Sequence, residues 1–539
     1  MQPPEEVIGG RLLFWCKSCL KDTSDHDPAA SYLRRLKIRR RKLGMIDRLN
    51  QCIDGLAGYG DRPAFHIRDV FHSYAELDEA VGTIGAWIRD NSNTNELVFG
   101  IWAEDHLLTY ASILALWAEG KAYVPIAPGT PKARCAELIE QSGIRTLFVP
   151  TEQVDLANVN LVRTDQLQPG PKRKIAVSSA ADSNAYLLFT SGTTGRPKGV
   201  PITRRAVNAF LNAFDELGLA IVPEDHVLQM FELTFDLSVM SYLVPLVHGA
   251  CVHTIPKDEI KYTYIHELLE DHGITVALMV PSILNYLRPY FDEIHCPALR
   301  VNLFCGEALP LDLVDAWSEC IPNARILNVY GPTEHTIFCT TYEYDRNGPN
   351  KESNGVLSIG KPMSGTQVGL LDSEGTLVSN GSAGELGLAG PQRTAGYWND
   401  PERNATSFVQ PRNGKETYYR TGDRCTMDGD GDLLYLGRTD HQVKIQGFRV
   451  ELSEVEHHAR QIVSPCMAVA VAVQNQFGNM ELRLVVEGPP TNVTELTNAL
   501  KVRLPLYMIP TSIHFQSQLP LNTNGKIDRP ALTKWIQGK

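Results

Sequence analysis

A glycine-rich stretch at residues 190–199, TSGTTGRPKG, holds the densest group of residues suited to chemistry. It follows AYLLF at 185–189, an apolar run with the length of a buried strand. Glycines let backbone N–H groups approach an anion closely, and hydroxyls and a lysine add donors and positive charge. We therefore predict a phosphate-binding loop. The spacing is not that of a Walker A motif, and an ordinary surface turn is the alternative. The predicted phosphate-binding residues are Thr190, Ser191, Gly192, Thr193, Thr194, Gly195 and Lys198.

Short apolar runs at 276–280, 301–304 and 325–329 predict three further strands. Each runs directly into a polar or glycine-containing segment, and the segment after the third contains Glu334. Ligands bind beyond the carboxyl ends of parallel strands, so these segments predict one shared crevice. Glu334 is a candidate ligand of Mg²⁺, because magnesium takes one or two carboxylates together with phosphate oxygens. A solvated loop glutamate is the alternative.

Helical and strand-like patterns alternate from Met45 onward, and these elements must position the crevice. Apolar residues at helical spacing predict helices at 46–56, at 74–88 with Ser73 as N-cap, and at 107–119. Apolar runs at 97–102 and 122–126 predict strands. Such alternation indicates parallel sheets covered by helices.

The pattern changes after about residue 355. Glycine-rich segments at 365–371, 384–389 and 433–436 predict antiparallel hairpins or a small barrel. The acidic stretch DGDGD at 428–432 lacks the glutamate spacing of an EF-hand, so it predicts a hairpin turn. From about His441, a helix at 452–463 mixed with strands predicts a separate small α+β domain.

Composition narrows the class of protein. Of the 539 residues, 43% are hydrophobic and 21% charged, which is typical of a soluble globular protein. The net charge of −11 argues against a general nucleic-acid binder. No apolar run approaches the roughly 18 residues of a membrane span, so we predict a cytoplasmic protein without membrane insertion. The eleven cysteines form no disulfide framework, and the lone pair Cys16 and Cys19 does not make a zinc site.

Four more motifs follow in order: YRTGD at 419–423, GRTDHQVKIQG at 437–447, LPLYMIP at 504–510 and NGKIDR at 524–529. Together with the glycine-rich loop and NVYGPTE at 328–334, they resemble the adenylate-forming superfamily. The likeness is closest to the amino-acid adenylation domains of nonribosomal peptide synthetases and their stand-alone relatives. It extends from about residue 45 to the end of the chain.

The resemblance implies a fold and its division. The expected class is α/β: a large N-terminal domain with parallel-rich sheets plus a β-rich subdomain, and a small, mobile α+β C-terminal domain. We place the large domain at 45–439 and the small domain at 440–539, with the hinge at Asp440. Residues 1–44 contain the basic run RRLKIRRRK at 34–42 and are expected to form a poorly ordered arm. A nucleic-acid or membrane patch is the alternative for this run.

The resemblance also implies roles for single residues. Glu334 would hold Mg²⁺, Asp423 the ribose hydroxyls with help from Arg438, and Lys526 would be the catalytic lysine. A cation between the attacking carboxylate and the α-phosphate stabilises the developing charge, although a lysine in an Asn-Gly turn is otherwise solvated. Beyond the glycine-rich loop, the expected ATP-binding residues are Gly306, Asn328, Val329, Tyr330, Gly331, Pro332, Thr333, Asp423, Tyr435, Arg438 and Lys526.

The segment FDLSVM at 235–240 resembles the one whose aspartate binds the substrate ammonium group. A buried, unpaired Asp236 would be costly, and a cationic substrate removes that cost, although an exposed or capping aspartate is the alternative. Cys305 stands where D-alanine–D-alanyl carrier protein ligases carry cysteine, or it is an ordinary small core residue. Ile337 replaces their usual valine and would narrow the pocket. Lys526 is also expected to contact the substrate.

The implied reaction has two halves. The carboxylate of an amino acid, with D-alanine the best candidate, attacks ATP to give aminoacyl-AMP and pyrophosphate. The small domain then rotates about Asp440, Lys526 leaves, and the loop of Gly447 opens the way for the phosphopantetheine thiol of a carrier protein. The ten residues after Arg529 are too few for a carrier domain, so we expect a separate carrier. The alternatives are an L-amino-acid adenylation enzyme, an acyl- or aryl-CoA ligase, and a non-catalytic partner that kept the fold.

Overall fold

The structure is a computed structural model, and it describes residues 47–92, 95–170, 180–192, 195–379, 381–522 and 527–538. The basic arm at 1–44, with Cys16 and Cys19, lies outside the described residues. So do Thr193, Thr194 and Lys526. Residues 47–539 group into one compact unit. The proposed boundary at residue 440 therefore stays a prediction.

The first part of the chain consists of strands and covering helices, and six of these strands form one parallel-rich sheet, whereas the first two join the second sheet. Its strands are β1 (Pro63–Ile67), β2 (Val70–Ser73), β3 (Val98–Trp102), β4 (Ala122–Ile126), β5 (Thr146–Val149), β6 (Asn160–Arg163), β7 (Asn184–Thr190) and β8 (Lys198–Thr203). Its helices are α1 (Arg48–Tyr59), α2 (Tyr74–Asn91), α3 (Leu107–Ala118), α4 (Lys132–Ser142) and α5 (Arg204–Asp215). Six of these strands pair in the order β6-β5-β3-β4-β7-β8, and only β8 runs antiparallel to its neighbour.

The next part contributes most of a second sheet. Its strands are β9 (His226–Gln229), β10 (Cys251–Thr254), β11 (Val276–Met279), β12 (Val301–Phe304), β13 (Arg325–Tyr330), β14 (Thr340–Glu343), β15 (Glu352–Ser353), β16 (Val356–Leu357) and β17 (Lys361–Pro362). Its helices are α6 (Asp236–His248), α7 (Lys261–Asp271), α8 (Pro281–Leu287) and α9 (Leu311–Cys320). Among the described residues the sheet order is β17-β14-β13-β12-β11-β9-β10-β1-β2. The strands from β13 to β1 run parallel, so their carboxyl ends share one edge.

The two sheets share a hydrophobic core. Helix α3 contributes to it along almost its whole surface, because all of its residues except Leu108 are buried. Within this core the indole of Trp117 donates a hydrogen bond to the carbonyl of Ala185 at 2.8 Å. The hydroxyls of Tyr123 and Tyr242 lie 3.0 Å apart. These contacts give the polar atoms of Trp117, Tyr123 and Tyr242 partners within the core, whereas the buried hydroxyl of Tyr186 has none among the described residues.

The β-rich subdomain is antiparallel throughout the described strands. It consists of β18 (Gln367–Leu371), β19 (Gly384–Ala389), β20 (Phe408–Val409), β21 (Tyr418–Met427) and β22 (Leu433–Arg438), with α10 (Pro401–Ser407). The acidic stretch at 428–432 joins β21 to β22 as the predicted hairpin turn. The ammonium group of Lys351 lies within 2.7 Å of a carboxylate oxygen of each of its three aspartates.

The last part is the α+β unit expected from the sequence. It contains the hairpin β23 (Gln442–Ile445) and β24 (Phe448–Glu451), then β25 (Ala468–Gln474), β26 (Met480–Glu487) and β27 (Ser512–Gln516). Its helices are α11 (Leu452–Val463), α12 (Val493–Lys501) and α13 (Arg529–Gln537). Its core packs α11 and α12 against β25 and β26. Helix α13, capped by Asp528, was not predicted.

The fold class predicted from the sequence is confirmed, and besides the unpredicted α13 the differences include shifts at element ends. The predicted helix at 46–56 begins at Arg48 instead, because the Asp47 carboxylate caps the N–H groups of Leu49 and Asn50. Ser73 caps α2 as predicted, and its reciprocal bonds with Glu76 form a capping box. In the described part of the chain, every helix is too short or too polar to cross a membrane.

Candidate active site

The ends of β12 and β13 bring the predicted binding residues to one crevice. Phe304 and Asn328 are register partners, so the segments that follow these two strands lie side by side. A small cavity of about 60 Å³ opens between them. The predicted site residues that line it are Asp236, Cys305, Gly306, Tyr330, Gly331, Pro332, Thr333, Asp423 and Arg438. Gly331 is required there, since a Cβ at this position would lie 2.4 Å from the Cα of Phe338.

The expected ribose-binding carboxylate lies on the β-rich side of the crevice. Asp423 on β21 is a register partner of Arg438 on β22, whose Nη1 donates to it at 2.8 Å. The hydroxyl of Tyr330 donates to its other oxygen at 2.6 Å. Asp423 is therefore held rigidly by two groups of the same crevice. Its remaining lone pairs suit the two hydroxyls of a vicinal diol.

Apart from the glycine-rich loop, three of the described residues predicted to bind ATP lie outside the cavity lining. The Asn328 amide donates to the carbonyls of Leu357 and Ser358, so it ties β13 to the neighbouring segment. Val329 is part of the shared core. Tyr435 packs among the apolar residues between β18 and β22. Their part in nucleotide binding stays a prediction.

The glycine-rich loop lies beneath the small C-terminal unit. The Ser191 hydroxyl donates to the carbonyl of Arg449 at 2.8 Å and accepts from the N–H of Glu451 at 3.1 Å. The N–H of Gly192 donates to a carboxylate oxygen of Glu454 at 3.0 Å. The N–H of Gly192, which we predicted to bind a phosphate, thus binds the carboxylate of Glu454 in this structure. The hydroxyl of Thr190 is buried, and no described residue forms a hydrogen bond with it.

Glu334, the predicted magnesium ligand, is completely buried and paired with cations. Arg449 Nη1 lies 3.0 and 2.9 Å from its two oxygens, Tyr397 donates at 2.7 Å, and the ammonium of Lys198 is 4.0 Å away. Burial opposes ionisation of Glu334, but Arg449, Lys198 and the Tyr397 hydroxyl outweigh it and lower the pKa of the carboxyl to about 2. Glu334 is thus an anion that already has a cationic partner.

Lys198 lies in the same group of charges. Burial and the nearby guanidinium of Arg449 lower the pKa of Lys198 to about 8, against the opposite effect of Glu334 and Glu451. The donor set fits MgATP: a buried carboxylate, an unpartnered hydroxyl at Thr190 and a lysine suit a divalent cation and phosphate oxygens.

Asp236 is the first residue of α6 and is 5% exposed. The N–H of Ile337 donates to its carboxylate at 3.1 Å. Burial outweighs this bond and raises the pKa of the Asp236 carboxyl to about 7. The position of Asp236 at the start of α6 and the N–H of Ile337 do not fully offset the cost of burying its charge. A cation beside Asp236 would therefore stabilise the ionised carboxylate.

Ile337 acts differently from the sequence-based expectation. Its backbone N–H contacts Asp236, and its side chain is buried in the shared core instead of lining the cavity. Its φ of +73° lies in the left-handed region, which is strained for a β-branched residue. The turn after β13 therefore directs a backbone N–H at the aspartate, and the sequence alone does not give such a conformation.

Cys305 lines the cavity next to Asp236, as predicted. It is buried, and burial raises the pKa of its thiol to about 12. A neutral thiol is a poor nucleophile, so Cys305 presents an uncharged and unreactive side chain to the cavity.

The sequence did not single out several residues that complete the crevice. Glu307 accepts from the N–H groups of Ser282 and Gly447 at 2.8 Å each. A Cβ on Gly306 would lie 3.5 Å from the Cα of Gly447, which shows how closely these two backbones pass. Lys444 and Arg449 line the cavity from the small unit. In the sequence, Glu307 directly follows Gly306, and Arg449 lies two residues after Gly447. Closeness to these glycines is the signal that could have identified both residues.

Comparisons with known proteins agree with this arrangement. The model for AMP-binding enzymes matches residues 54–398. A D-alanine–D-alanyl carrier protein ligase from Lacticaseibacillus rhamnosus is 31% identical over 522 residues, covering 90% of this chain and 99% of the relative. Tyrocidine synthase 3 from Brevibacillus parabrevis is 33% identical over 468 residues, or 85% of this chain. The chain spans only 7% of that synthase, and 13% of a plipastatin synthase polypeptide from Bacillus subtilis, which is 34% identical over 86% of this chain.

Solved structures are similar over most of the chain. A Vibrio cholerae adenylation domain, solved with glycyl-adenosine-5'-phosphate, has a TM-score of 0.81 at 24% identity, covering 92% of this chain and 98% of that one, which is a likeness of fold. A nonribosomal peptide synthetase protein with adenylation and PCP domains has a TM-score of 0.79 at 27% identity, covering 90% and 83%. The fold and crevice define an adenylate-forming enzyme. The chain belongs to the AMP-binding enzyme family, as the motifs predicted.

Proposed function

We propose that this protein activates a small amino acid, with D-alanine the best candidate, as aminoacyl-AMP and transfers it to the phosphopantetheine thiol of a carrier protein. The observation that carries the proposal is Asp236: a buried carboxylate, with its pKa raised to about 7, at the wall of a cavity of about 60 Å³. An ammonium group beside Asp236 would remove the cost of burying its charge. A cavity of this volume suits a small side chain.

The nucleotide would lie with its ribose on Asp423 and its phosphates toward the glycine-rich loop. Asp423 is oriented by Tyr330 and Arg438, so it would accept from both ribose hydroxyls without rearrangement. Thr190 and Lys198 would contact phosphate oxygens, while Glu334 would hold Mg²⁺. When bound, Mg²⁺ neutralises phosphate charge as the carboxylate approaches. Lys526 is proposed to stabilise the same charge from the small domain.

The second half-reaction would use the arrangement in which Gly447 packs against Gly306. Here Glu307 binds the N–H of Gly447, while Arg449 and Glu454 contact Glu334 and the glycine-rich loop. MgATP needs those same groups, so the small domain must move for the first half-reaction. We propose that Asp440 is the hinge, between β22 and β23. A cavity of about 460 Å³, bordered by Phe189, Glu232, Gln446 and Tyr507, is the proposed path for the thiol arm.

The test is ATP–pyrophosphate exchange with D-alanine, L-alanine, glycine, larger L-amino acids, and aryl and fatty acids. We expect exchange above background with D-alanine, weaker exchange with L-alanine, and none with acids that lack an ammonium group. Asp236→Asn and Lys526→Ala should each abolish exchange. Activity with aryl or fatty acids only would overturn the amino-acid proposal. Equal or faster exchange with an L-amino acid would identify an L-amino-acid adenylation enzyme.

A matched pair of cysteine variants tests the chirality. Cys305→Gly removes the thiol that lines the cavity, so the ratio of D- to L-alanine exchange should fall by about tenfold or more, the worth of 1–3 kcal/mol of lost contact. Cys425→Ala removes an equally buried thiol in the β-rich subdomain and should leave the ratio unchanged. An unchanged ratio in Cys305→Gly would contradict the proposed role of this side chain.

The use of a separate carrier protein and a cytoplasmic location of this protein stay predictions.

A further inference from the structure

Histidines gather on the nine-stranded sheet, at a distance from the adenylation crevice. His66 on β1 and His253 on β10 are register partners on neighbouring parallel strands. His272 is the C-cap of α7. We call His66, His253 and His272 the histidine cluster. Strands β11 and β9 separate β10 from β12 in the sheet, so the histidine cluster is not part of the site around Cys305 and Asp423.

The three rings have the spacing of imidazoles around one ion. The ring centre of His66 lies 4.9 Å from that of His253 and 4.8 Å from that of His272, and the last two are 6.1 Å apart. In a tetrahedral site with Zn–N bonds of about 2.1 Å, neighbouring ring centres lie about 5 Å apart. One ring nitrogen from each residue lies within 4.8 Å of the others. Small side-chain rotations would bring these atoms to the roughly 3.4 Å of a metal site.

Two buried ring nitrogens of this cluster have no hydrogen-bond partner among the described residues. His66 is 2% and His253 0% exposed, and these two nitrogens are the Nδ1 atoms of the two rings. Leaving such atoms unpaired is costly, so each one needs an explanation. A metal ion would satisfy both at once, since imidazole nitrogen is a preferred ligand of Zn²⁺.

His226 provides the outer contact that a metal-binding histidine usually has. Its Nδ1 lies 2.7 Å from Nε2 of His253. If His253 donates in this bond, the lone pair of its Nδ1 is free for a metal.

We propose that the histidine cluster binds one late first-row transition metal ion, with Zn²⁺ as the probe. The ligands are His66, His253 and His272, and His226 orients His253. His272 is partly exposed, so the ion and a water molecule in the fourth position reach the site from solvent. The metal joins the end of α7 to β1 and β10. It stabilises this side of the sheet and takes no part in adenylation.

The experiment uses the full chain without an affinity tag, first stripped of metal with a chelator. Zn²⁺ is titrated by calorimetry, bound zinc is counted by mass spectrometry after desalting, and Co²⁺ is added to record its visible absorption. We expect one ion per chain, a rise in melting temperature with Zn²⁺, and a cobalt spectrum of low coordination number. His272→Ala removes the most exposed ligand and should weaken binding at least tenfold. His295→Ala, an exposed histidine outside the cluster, is the control.

Two outcomes would overturn the proposal. One is equal zinc affinity in His272→Ala and in the His295→Ala control, which would show that the binding is nonspecific. The other is loss of binding in Cys251→Ser with retention in His272→Ala, because Cys251 lies with His226 and His253 in a competing ligand group. ATP–pyrophosphate exchange should be the same in the stripped and loaded protein. His66→Gln is a second ligand variant, and its zinc stoichiometry should fall below that of the unaltered chain.

Discussion

The proposed ribose end and the proposed phosphate end of the adenylation crevice are built in different ways. At the ribose end, the partners of Asp423 are Tyr330 and Arg438, which belong to the same large part of the chain. At the phosphate end, the partners of Glu334, Ser191 and Gly192 come from the small C-terminal unit. The ribose end is thus formed in advance, whereas the phosphate end depends on where the small unit lies. Variants at the first should affect nucleotide affinity, and variants at the second should affect one half-reaction.

Removing the guanidinium of Arg449 should have the largest effect. Arg449→Ala leaves the buried Glu334 carboxylate without its nearest cation, and breaking a buried ion pair costs about 3–5 kcal/mol. The arrangement seen here is then lost, and transfer to the carrier should slow by about 150- to 5,000-fold. Pyrophosphate exchange should change by less than about tenfold, because the Mg²⁺ proposed to bind Glu334 would neutralise this carboxylate in the first half-reaction. Single-turnover thioester formation and exchange measure the two steps.

Arg460→Ala is the control for that variant. Arg460 is itself exposed and pairs with the buried Glu456, which keeps Arg529 as a second cation at 2.6 Å, so its removal should leave both half-reactions within about twofold of the unaltered protein. An equal loss of both half-reactions in Arg449→Ala would mean that the phosphate end does not depend on the position of the small unit.

The ribose end is tested by Asp423→Asn. Loss of a carboxylate that accepts from charged and hydroxyl donors costs about 1.5–3 kcal/mol, so the KM for ATP should rise by about 10- to 100-fold. Asp432→Asn, in the turn held by Lys351, should leave this KM unchanged. An unaltered KM in Asp423→Asn would remove Asp423 from the nucleotide site.

The pH dependence of amino-acid binding tests the pKa of Asp236. An ammonium group needs the ionised carboxylate, and burial raises the pKa of Asp236 to about 7. The KM for the amino acid should be constant above about pH 8 and rise about tenfold per pH unit below about pH 6. The KM for ATP is the internal control. A KM for the amino acid that stays level down to pH 5 would contradict the assignment.

The same raised pKa predicts a change in stability. Because the folded-state pKa of Asp236 exceeds the ordinary value of 3.8, ionising this carboxyl destabilises the fold as pH rises through about 7. Asp236→Asn should therefore raise the melting temperature of the ligand-free protein at pH 8 and change it less at pH 5. A lower melting temperature at pH 8 would show that the carboxylate stabilises the fold.

The smallest effect is expected for Tyr330→Phe. It removes one hydroxyl donor to Asp423, while Arg438 still holds the carboxylate. One neutral hydrogen bond is worth about 0.5–1.5 kcal/mol, so the KM for ATP should rise by about 2- to 10-fold. The transfer step should not change. A loss of transfer to the carrier without a change in the KM for ATP would contradict the separation of the two ends of the crevice.

Local patterns were sufficient for much of the fold. Ser73 directly precedes the apolar pattern of α2, and the strand at 384–389 is a short, mostly apolar run, so the N-cap and this strand were predicted correctly, whereas the capping-box partner Glu76 was not predicted. The start of α1 was predicted two residues too early, because the Asp47 cap and not the apolar pattern sets where this helix begins. Helix α13 was missed because it is short.

The sequence by itself determined the family, the strand ends and the residue types of the crevice, because motif order and hydrophobic periodicity are local properties of the chain. Only the tertiary structure decided that Glu334 pairs with Arg449, that the N–H of Ile337 faces Asp236, and that His66 meets His253. Each of these contacts joins residues about 100 or more positions apart. Charge, strain and burial at such contacts depend on packing, which no local pattern records.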